Sequence, residues 1–170
     1  MSVRGEEGLR PGLRPGRGAP PAGVFSPRRR GGSFANPTEA QAVSLLSRGI
    51  EGPVVMLNLL RFREVADYAA SPELAPEVPI TGEAAFDLYV AATEPHLRAS
   101  GGEVVFQGRG GPFFIGPEAA RWDRVMLIRQ ASVARFISWA SDEAYLAGIG
   151  HRTAALEDSR LLPVVEAAFV

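Results

Sequence analysis

The sequence predicts an α+β domain in which helices cover one face of a single antiparallel sheet. Its 170 residues fit one domain, and the residue patterns follow the order β-α-β-β-α-β behind a leading helix. Two right-handed crossovers on an antiparallel sheet give a ferredoxin-like fold. A second observation concerns the first predicted strand, VVMLNLLRFR from Val54 to Arg63. It is apolar on both faces, and such a strand needs cover on both sides.

Four segments have the length and the branched residues of strands. They are expected at about 54–61, 103–108, 122–130 and 161–169. Residues 64–80 contain three prolines and no clear period, which is typical of a long loop. Gly101 and Gly102 end the helix that precedes the second strand.

The first two helices have clear start signals. Asn36 is a good N-cap for the leading helix, and Glu39 completes a capping-box pattern. Thr81 can cap the second helix, which should run to about Ser100. Pro95 is expected to kink or break that helix, because proline removes a backbone donor and its ring clashes with the preceding turn.

The later helices are shorter. Ser132 caps a helix with apolar residues at i, i+3, i+4 and i+7, and Ser141 is expected to cap a short continuation. A last helical segment is expected over His151 to Asp158, where these two side chains would share a face. The fourth strand then closes the sheet.

The third strand repeats the two-sided pattern of the first. It carries Trp122, Met126 and Ile128 on one side and Val125 and Leu127 on the other. Crossover helices cover only one face, so the second apolar face needs a partner. The simplest partner is a second copy of the chain, which predicts a homodimer.

Charge is unevenly distributed along the chain. Residues 1–32 carry seven arginines and two glutamates (+5), and the rest carries eleven arginines and seventeen acids (−6), which sum to −1. Residues 1–33, rich in Gly, Pro and Arg, are expected to be a disordered, dispensable tail; the alternative is a basic arm for an anionic surface. The single domain, residues 34–170, has no basic stripe, which argues against nucleic acid.

Composition excludes several kinds of site. The chain has no cysteine, which excludes disulfides, thiolate nucleophiles and Cys-based metal sites and fits a cytoplasmic protein. It has no lysine, so Schiff-base chemistry is excluded. No apolar run approaches the length of a membrane span. Two isolated histidines make poor metal ligands, and no phosphate-binding or nucleophile motif is present, so we expect neither a metal nor a cofactor.

Two polar residues interrupt the first strand. Asn58 lies in its middle and is either a ligand-orienting amide between sheet and helices or a buried amide satisfied by backbone. Arg61 lies near its end and could hold a carboxylate bidentately; the alternative is a structural salt bridge.

The segment HRTAALEDSRL is the densest polar constellation. His151 is the candidate catalytic acid or base near neutral pH, and Arg152 is a candidate anion ligand; the alternative is a polar helix end packed on the sheet. Trp122, Trp139 and Tyr89 are read as core or pocket wall, with Trp122 lining the ligand site. Despite the distance in sequence, Asn58, Arg61, His151 and Arg152 are expected to converge around one pocket.

Several segments together are similar to one known family. They are MLNLLRF at 56–62, GG at 101–102, RWDRVMLI at 121–128, the helix with Phe136, Trp139 and Tyr145, and HRTAALEDSRL at 151–161. In these the chain resembles the small bacterial proteins known as domain of unknown function number thirteen-thirty, in the dimeric α/β-barrel superfamily. The resemblance implies a ferredoxin-like protomer that pairs into a barrel, and it implies no particular reaction.

Relatives in that superfamily suggest what the site could do. Cofactor-independent monooxygenases use polar and tryptophan side chains in a cavity of this kind. Haem-degrading relatives carry a histidine soon after the tryptophan of the third strand, whereas residues 129–140 here contain none. The sequence therefore predicts a dimeric binder of a small anionic or carbonyl-bearing metabolite, with enzymatic activity left open. The alternative is a non-catalytic dimeric binding or interaction module.

Overall fold

The computed structural model describes residues 36–167 of the chain. Their helices are α1 Glu39–Ser47, α2 Gly82–Ala99, α3 Val133–Ala140 and α4 Glu143–Ala155, with a 3-10 turn at Pro72–Leu74. Their strands are β1 Val54–Phe62, β2 Glu103–Arg109, β3 Arg124–Gln130 and β4 Leu156–Val164. The tail predicted at residues 1–33 lies outside the described residues.

The strands form one antiparallel sheet in the order β2-β3-β1-β4. Asn58 of β1 pairs with Met126 of β3 on one side and with Leu161 of β4 on the other, so β1 and β3 are the central strands. Helix α2 connects β1 to β2, and α3 with α4 connects β3 to β4. This order with two helical crossovers is the ferredoxin-like arrangement, and it confirms the predicted α+β class.

The even-numbered residues of β1 face the helices and form the core. Leu60 and Phe62 pack with Phe86 of α2 in one buried cluster. Met56 packs with Val133 of α3 in a second cluster. Each fully buried side chain of this size contributes about 1.5–3 kcal/mol through removal of apolar surface from water. The middle of β1 lies between the two clusters.

The odd-numbered residues of β1 lie on the opposite face, which no helix of the described chain covers. Leu57 and Leu59 are half-buried there, beside Leu127 and Val125 of β3. Phe106 of β2 pairs with Leu127 on the same face and is 52% exposed. We call this surface the open face. It is the second apolar face that the alternation in β1 and β3 indicated.

Several predicted helix boundaries are wrong by a short distance. The N-cap of α1 is Thr38, which forms the capping box, in place of Asn36. The N-cap of α4 is Asp142, whose carboxylate accepts two backbone N–H groups, in place of Ser141. Pro95 does not end the second helix, because it lies exposed in the last turns of α2, where one lost backbone bond is tolerated. The caps predicted for α2 and α3 are confirmed.

The end of α4 is the largest correction. Strand β4 begins at Leu156, directly after Ala155 ends the helix, about five residues earlier than predicted. Asp158 therefore lies in a strand, and it does not share a helix face with His151. Pairing with β1 along the whole length of β4 outweighs the helical propensity of this segment.

Candidate functional site

Asn58 marks an opening in the helix layer. It is half-buried, whereas Met56 and Leu60, its neighbours on the same face of β1, are each 1% exposed. Its Nδ2 donates to the carbonyl of Met56 at 3.0 Å. A side chain at the centre of a sheet, on the helix-covered face, is accessible only where the helices leave a gap. Leu161, which pairs with Asn58 from edge strand β4, is 42% exposed.

Two tyrosines from facing helices meet beside the core cluster that contains Leu60. The hydroxyl of Tyr89 on α2 lies 3.2 Å from the hydroxyl of Tyr145 on α4, and the ring centres are 6.2 Å apart. Burial raises the pKa of Tyr145, the nearby Tyr89 raises it further, and Arg152 offsets part of the effect. Tyr145 is therefore a neutral hydrogen-bond donor at any physiological pH, and it does not act as a base.

Trp139 of α3 packs on the tyrosine pair. Its ring centre is 4.2 Å from that of Tyr145 and 6.2 Å from that of Phe136. Its indole Nε1 is buried and has no hydrogen-bond partner among the described residues. A buried donor without an acceptor costs about 1–3 kcal/mol, so this nitrogen is a candidate contact for a ligand oxygen.

Arg152 connects α4 to the sheet. Its Nη2 donates to Ser159 Oγ at 3.3 Å. Ser159 pairs with Leu60 of β1, the next residue after Asn58 on the same face of that strand. Arg152 therefore lies on the helix side of the sheet, beside the part of β1 that carries Asn58 and Leu60. We define the sheet–helix site as Asn58, Tyr89, Trp139, Tyr145 and Arg152.

His151 makes its contact in another direction. Its Nδ1 lies 2.8 Å from the hydroxyl of Tyr68 in the loop after β1, and the two rings meet edge to face. Arg152, the next residue, contacts Ser159, so these neighbouring side chains leave α4 in different directions. Burial lowers the pKa of His151 and raises that of Tyr68. Both shifts favour the neutral forms, which suits a direct hydrogen bond.

The lowered pKa of His151 makes the stability of the fold depend on pH. The pKa of His151 in the folded protein lies below its usual value of 6.5. At a pH between the folded and the unfolded pKa, the unfolded chain therefore binds more protons than the folded one. The free energy of unfolding is expected to fall as pH drops through about 6.5, with no contribution from this group above it. Urea unfolding from pH 8 to 5 should show a smaller acid loss in His151→Gln than in the wild type. His96→Gln is the matched control, and an equal reduction in both variants would contradict the assignment.

Arg61 and Trp122 lie on the open face, so the expectation that they share a pocket with Asn58 is wrong. Arg61 is three residues from Asn58, and side chains alternate between faces along a strand; its Nη2 lies 3.1 Å from Glu157 Oε1. Arg160 of β4 pairs with Leu59 and therefore lies on the open face. Its guanidinium lies 5.2 Å from the ring centre of Trp122, so Trp122 lies on the open face as well.

An open groove of about 560 Å³ lies beside the start of α2, away from the sheet–helix site. Arg124 on its wall is bonded to Asp87 at 2.7 Å and to Glu83 at 3.1 Å. Its guanidinium also lies 5.1 Å and 5.4 Å from the ring centres of Phe62 and Phe86. These charges satisfy one another, so the groove is read as a surface network that fixes α2 on the sheet.

The described residues were also searched for metal-binding clusters and for membrane-spanning helices. Within residues 36–167, no three His, Asp or Glu side chains are grouped so that they could hold a metal ion. In the same range, no helix combines the length and the apolar character that a bilayer crossing requires.

Sequence patterns gave only part of this site. Asn58 and Arg152 were predicted as ligands, and Tyr89 and Trp139 only as core or wall. Tyr145 was named only within the family resemblance and not as a site residue, although it lies seven residues before Arg152 and therefore on the same helix face. The two residues share a face because α4 is one continuous helix from Glu143 to Ala155.

Comparisons with known proteins find solved structures that are similar to this chain. A scan against protein-family models and a search of curated proteins both find no match. The matching solved structures include a crystal structure of the methylated RPA0582 protein and one of the RPA0582 protein of unknown function from Rhodopseudomonas palustris. Each is 33% identical with a TM-score of 0.71 over 80% of this chain, and the matches cover 96% and 98% of those chains. At that identity and coverage, the chain belongs to the same family as the RPA0582 protein.

Proposed function

We propose that this protein binds a small anionic or carbonyl-bearing metabolite at the sheet–helix site and does so as a homodimer. The observation that carries the proposal is the partial exposure of Asn58 in the middle of a central strand. The other members of the sheet–helix site supply an arginine, two phenols and an indole N–H, all of which can donate hydrogen bonds. Such a set suits a ligand that presents oxygen acceptors.

Binding without catalysis is the favoured form of the proposal. Asn58 and Trp139 carry no titratable group, and burial keeps Tyr145 protonated. An acid–base step would have to use His151, which contacts Tyr68. If the protein is an enzyme, its rate should therefore follow the titration of His151, and His151→Gln should remove that pH dependence.

The ligand proposal is tested with two arginine variants that differ in sheet face. In thermal shift assays with small carboxylates and carbonyl compounds, a ligand at a hundredfold its Kd should stabilise the wild type by about 2.7 kcal/mol. Arg152→Gln should weaken binding at least about tenfold, since it removes a charge-assisted contact. Arg61→Gln is the matched control, because Arg61 lies on the open face. Loss of binding in Arg61→Gln alone would move the site to the open face and refute the proposal.

The homodimer is supported by the composition of the open face. Leu57, Leu59, Val125 and Leu127 are only half-buried, and Phe106 beside them is 52% exposed. A contiguous apolar surface of this kind marks an interaction site. A second copy would cover it with the same residues in an isologous, two-fold contact.

A further inference from the structure

We infer that Trp139 selects the ligand of the sheet–helix site, and that this ligand is a monocarboxylate attached to a flat, unsaturated group. The inference rests on the proposed function and narrows it to one ligand class. In this arrangement the indole N–H donates to one carboxylate oxygen. The aromatic faces of Trp139 and Tyr145 contact the flat group.

The indole nitrogen supplies the first argument. Trp139 Nε1 is buried with no acceptor among residues 36–167, and tryptophan Nε1 can only donate. Buried donors in folded proteins almost always have a partner. An acceptor that arrives with a ligand accounts for this exception, and the contact of Trp139 with Tyr145 puts the indole beside the tyrosine pair.

The charge of the site supplies the second argument. Arg152 is a cation whose field reaches the Tyr145 hydroxyl, and its Nη2 donates to Ser159 Oγ. A carboxylate presents two oxygens, one for the indole N–H and one for a guanidinium. A phosphate dianion would bring a second negative charge into a partly buried site, where an unpaired charge is costly.

The shape of the walls supplies the third argument. The rings of Phe136, Trp139, Tyr145 and Tyr89 follow one another with centre distances of 6.2, 4.2 and 6.2 Å. Aromatic faces gain most from offset or edge contact with another flat ring. A saturated, puckered ring of equal size would lose part of that contact.

The test uses four small probes and the two tryptophans of the chain. The probes are benzoate, cyclohexanecarboxylate, methyl benzoate and inorganic phosphate. Benzoate should raise the Tm and bind about two- to tenfold more tightly than cyclohexanecarboxylate, and the other two probes should have little effect. Trp139→Phe should weaken benzoate binding about tenfold to a hundredfold, since it removes a hydrogen bond to a charged group.

Trp122→Phe is the matched control, because Trp122 lies on the open face. Trp122→Phe should bind benzoate with wild-type affinity. Because Trp139 is its only remaining tryptophan, its fluorescence should change when benzoate is added. This measurement does not depend on how well Trp139→Phe folds. Equal benzoate affinity in Trp139→Phe, or fluorescence of Trp122→Phe unchanged at saturation, would overturn the role of Trp139. Preference for phosphate or methyl benzoate, or no binding of any probe, would overturn the ligand class. The proposed function is judged separately, by the Arg152→Gln and Arg61→Gln comparison.

Discussion

Gly82→Ala is expected to lower the free energy of unfolding by about 3 kcal/mol, the upper end of the range for overpacking, and the Tm by roughly 10 °C. Gly82 is the first residue of α2, and its N–H donates to the carbonyl of Arg63 at 3.1 Å. An added Cβ would lie 2.5 Å from the carbonyl oxygens of Ala155 and Arg63 and 2.8 Å from the Arg63 nitrogen. All three are backbone atoms, so no rotamer change can relieve the clash.

Gly111→Ala provides the control for this effect. A Cβ at Gly111 meets no heavy atom of the described residues within 4 Å, so this change should leave stability unaltered or raise it slightly by restricting the unfolded chain. Urea unfolding of both variants measures the difference. If Gly82→Ala were as stable as Gly111→Ala, the close approach of β1, α2 and α4 around Gly82 would be incorrect.

Leu127→Asp is expected to convert the proposed homodimer into a monomer. Leu127 pairs with Leu57 in the middle of the open face, where a two-fold interface would bury both. Each copy would contribute one carboxylate to that interface, and an unpaired buried polar group costs about 1–3 kcal/mol. The dimer Kd should therefore rise roughly a hundredfold or more. Sedimentation velocity over a micromolar concentration series measures the change.

The comparison for Leu127→Asp is Leu88→Asp on α2, where the side chain is already 42% exposed. That variant should remain dimeric. The unfolding transition of Leu127→Asp should remain cooperative, because the substituted side chain lies outside the core. A wild-type protein that stayed monomeric at micromolar concentration would refute the homodimer.

The fold followed from alternation and element order because both are local properties of the sequence. The even and odd positions of β1 predicted that both of its faces are apolar. The order of the helices and strands limited the sheet to few topologies. The same alternation already assigned Asn58 to the even face and Arg61 to the odd one. The prediction that Asn58 and Arg61 share a pocket is inconsistent with that alternation, and in the structure the two side chains lie on opposite faces of β1.

The contact between Arg152 and Ser159 depends on the junction between α4 and β4 at Ala155 and Leu156. Local sequence patterns did not predict that junction. The segment HRTAALEDSRL is rich in the helix formers Ala, Leu, Arg and Glu, which predict a helix as far as Asp158. In the folded protein, pairing with β1 converts its second half into β4, which brings Ser159 under Arg152. A contact between a helix and the strand after it is set by the sheet and cannot be obtained from propensity alone.

The direct junction between Ala155 and Leu156 limits where the chain can change in length. Each residue added to a helix rotates the rest of the chain by about 100° around the helix axis, and each residue added to a strand exchanges its two faces. A one-residue insertion at this point would turn Arg152 away from Ser159 or move Ser159 to the open face. Deletions there would do the same in reverse. Length variation among relatives is therefore expected in residues 64–80 and 110–121, where loops absorb it, with the helix–strand junction constant in length.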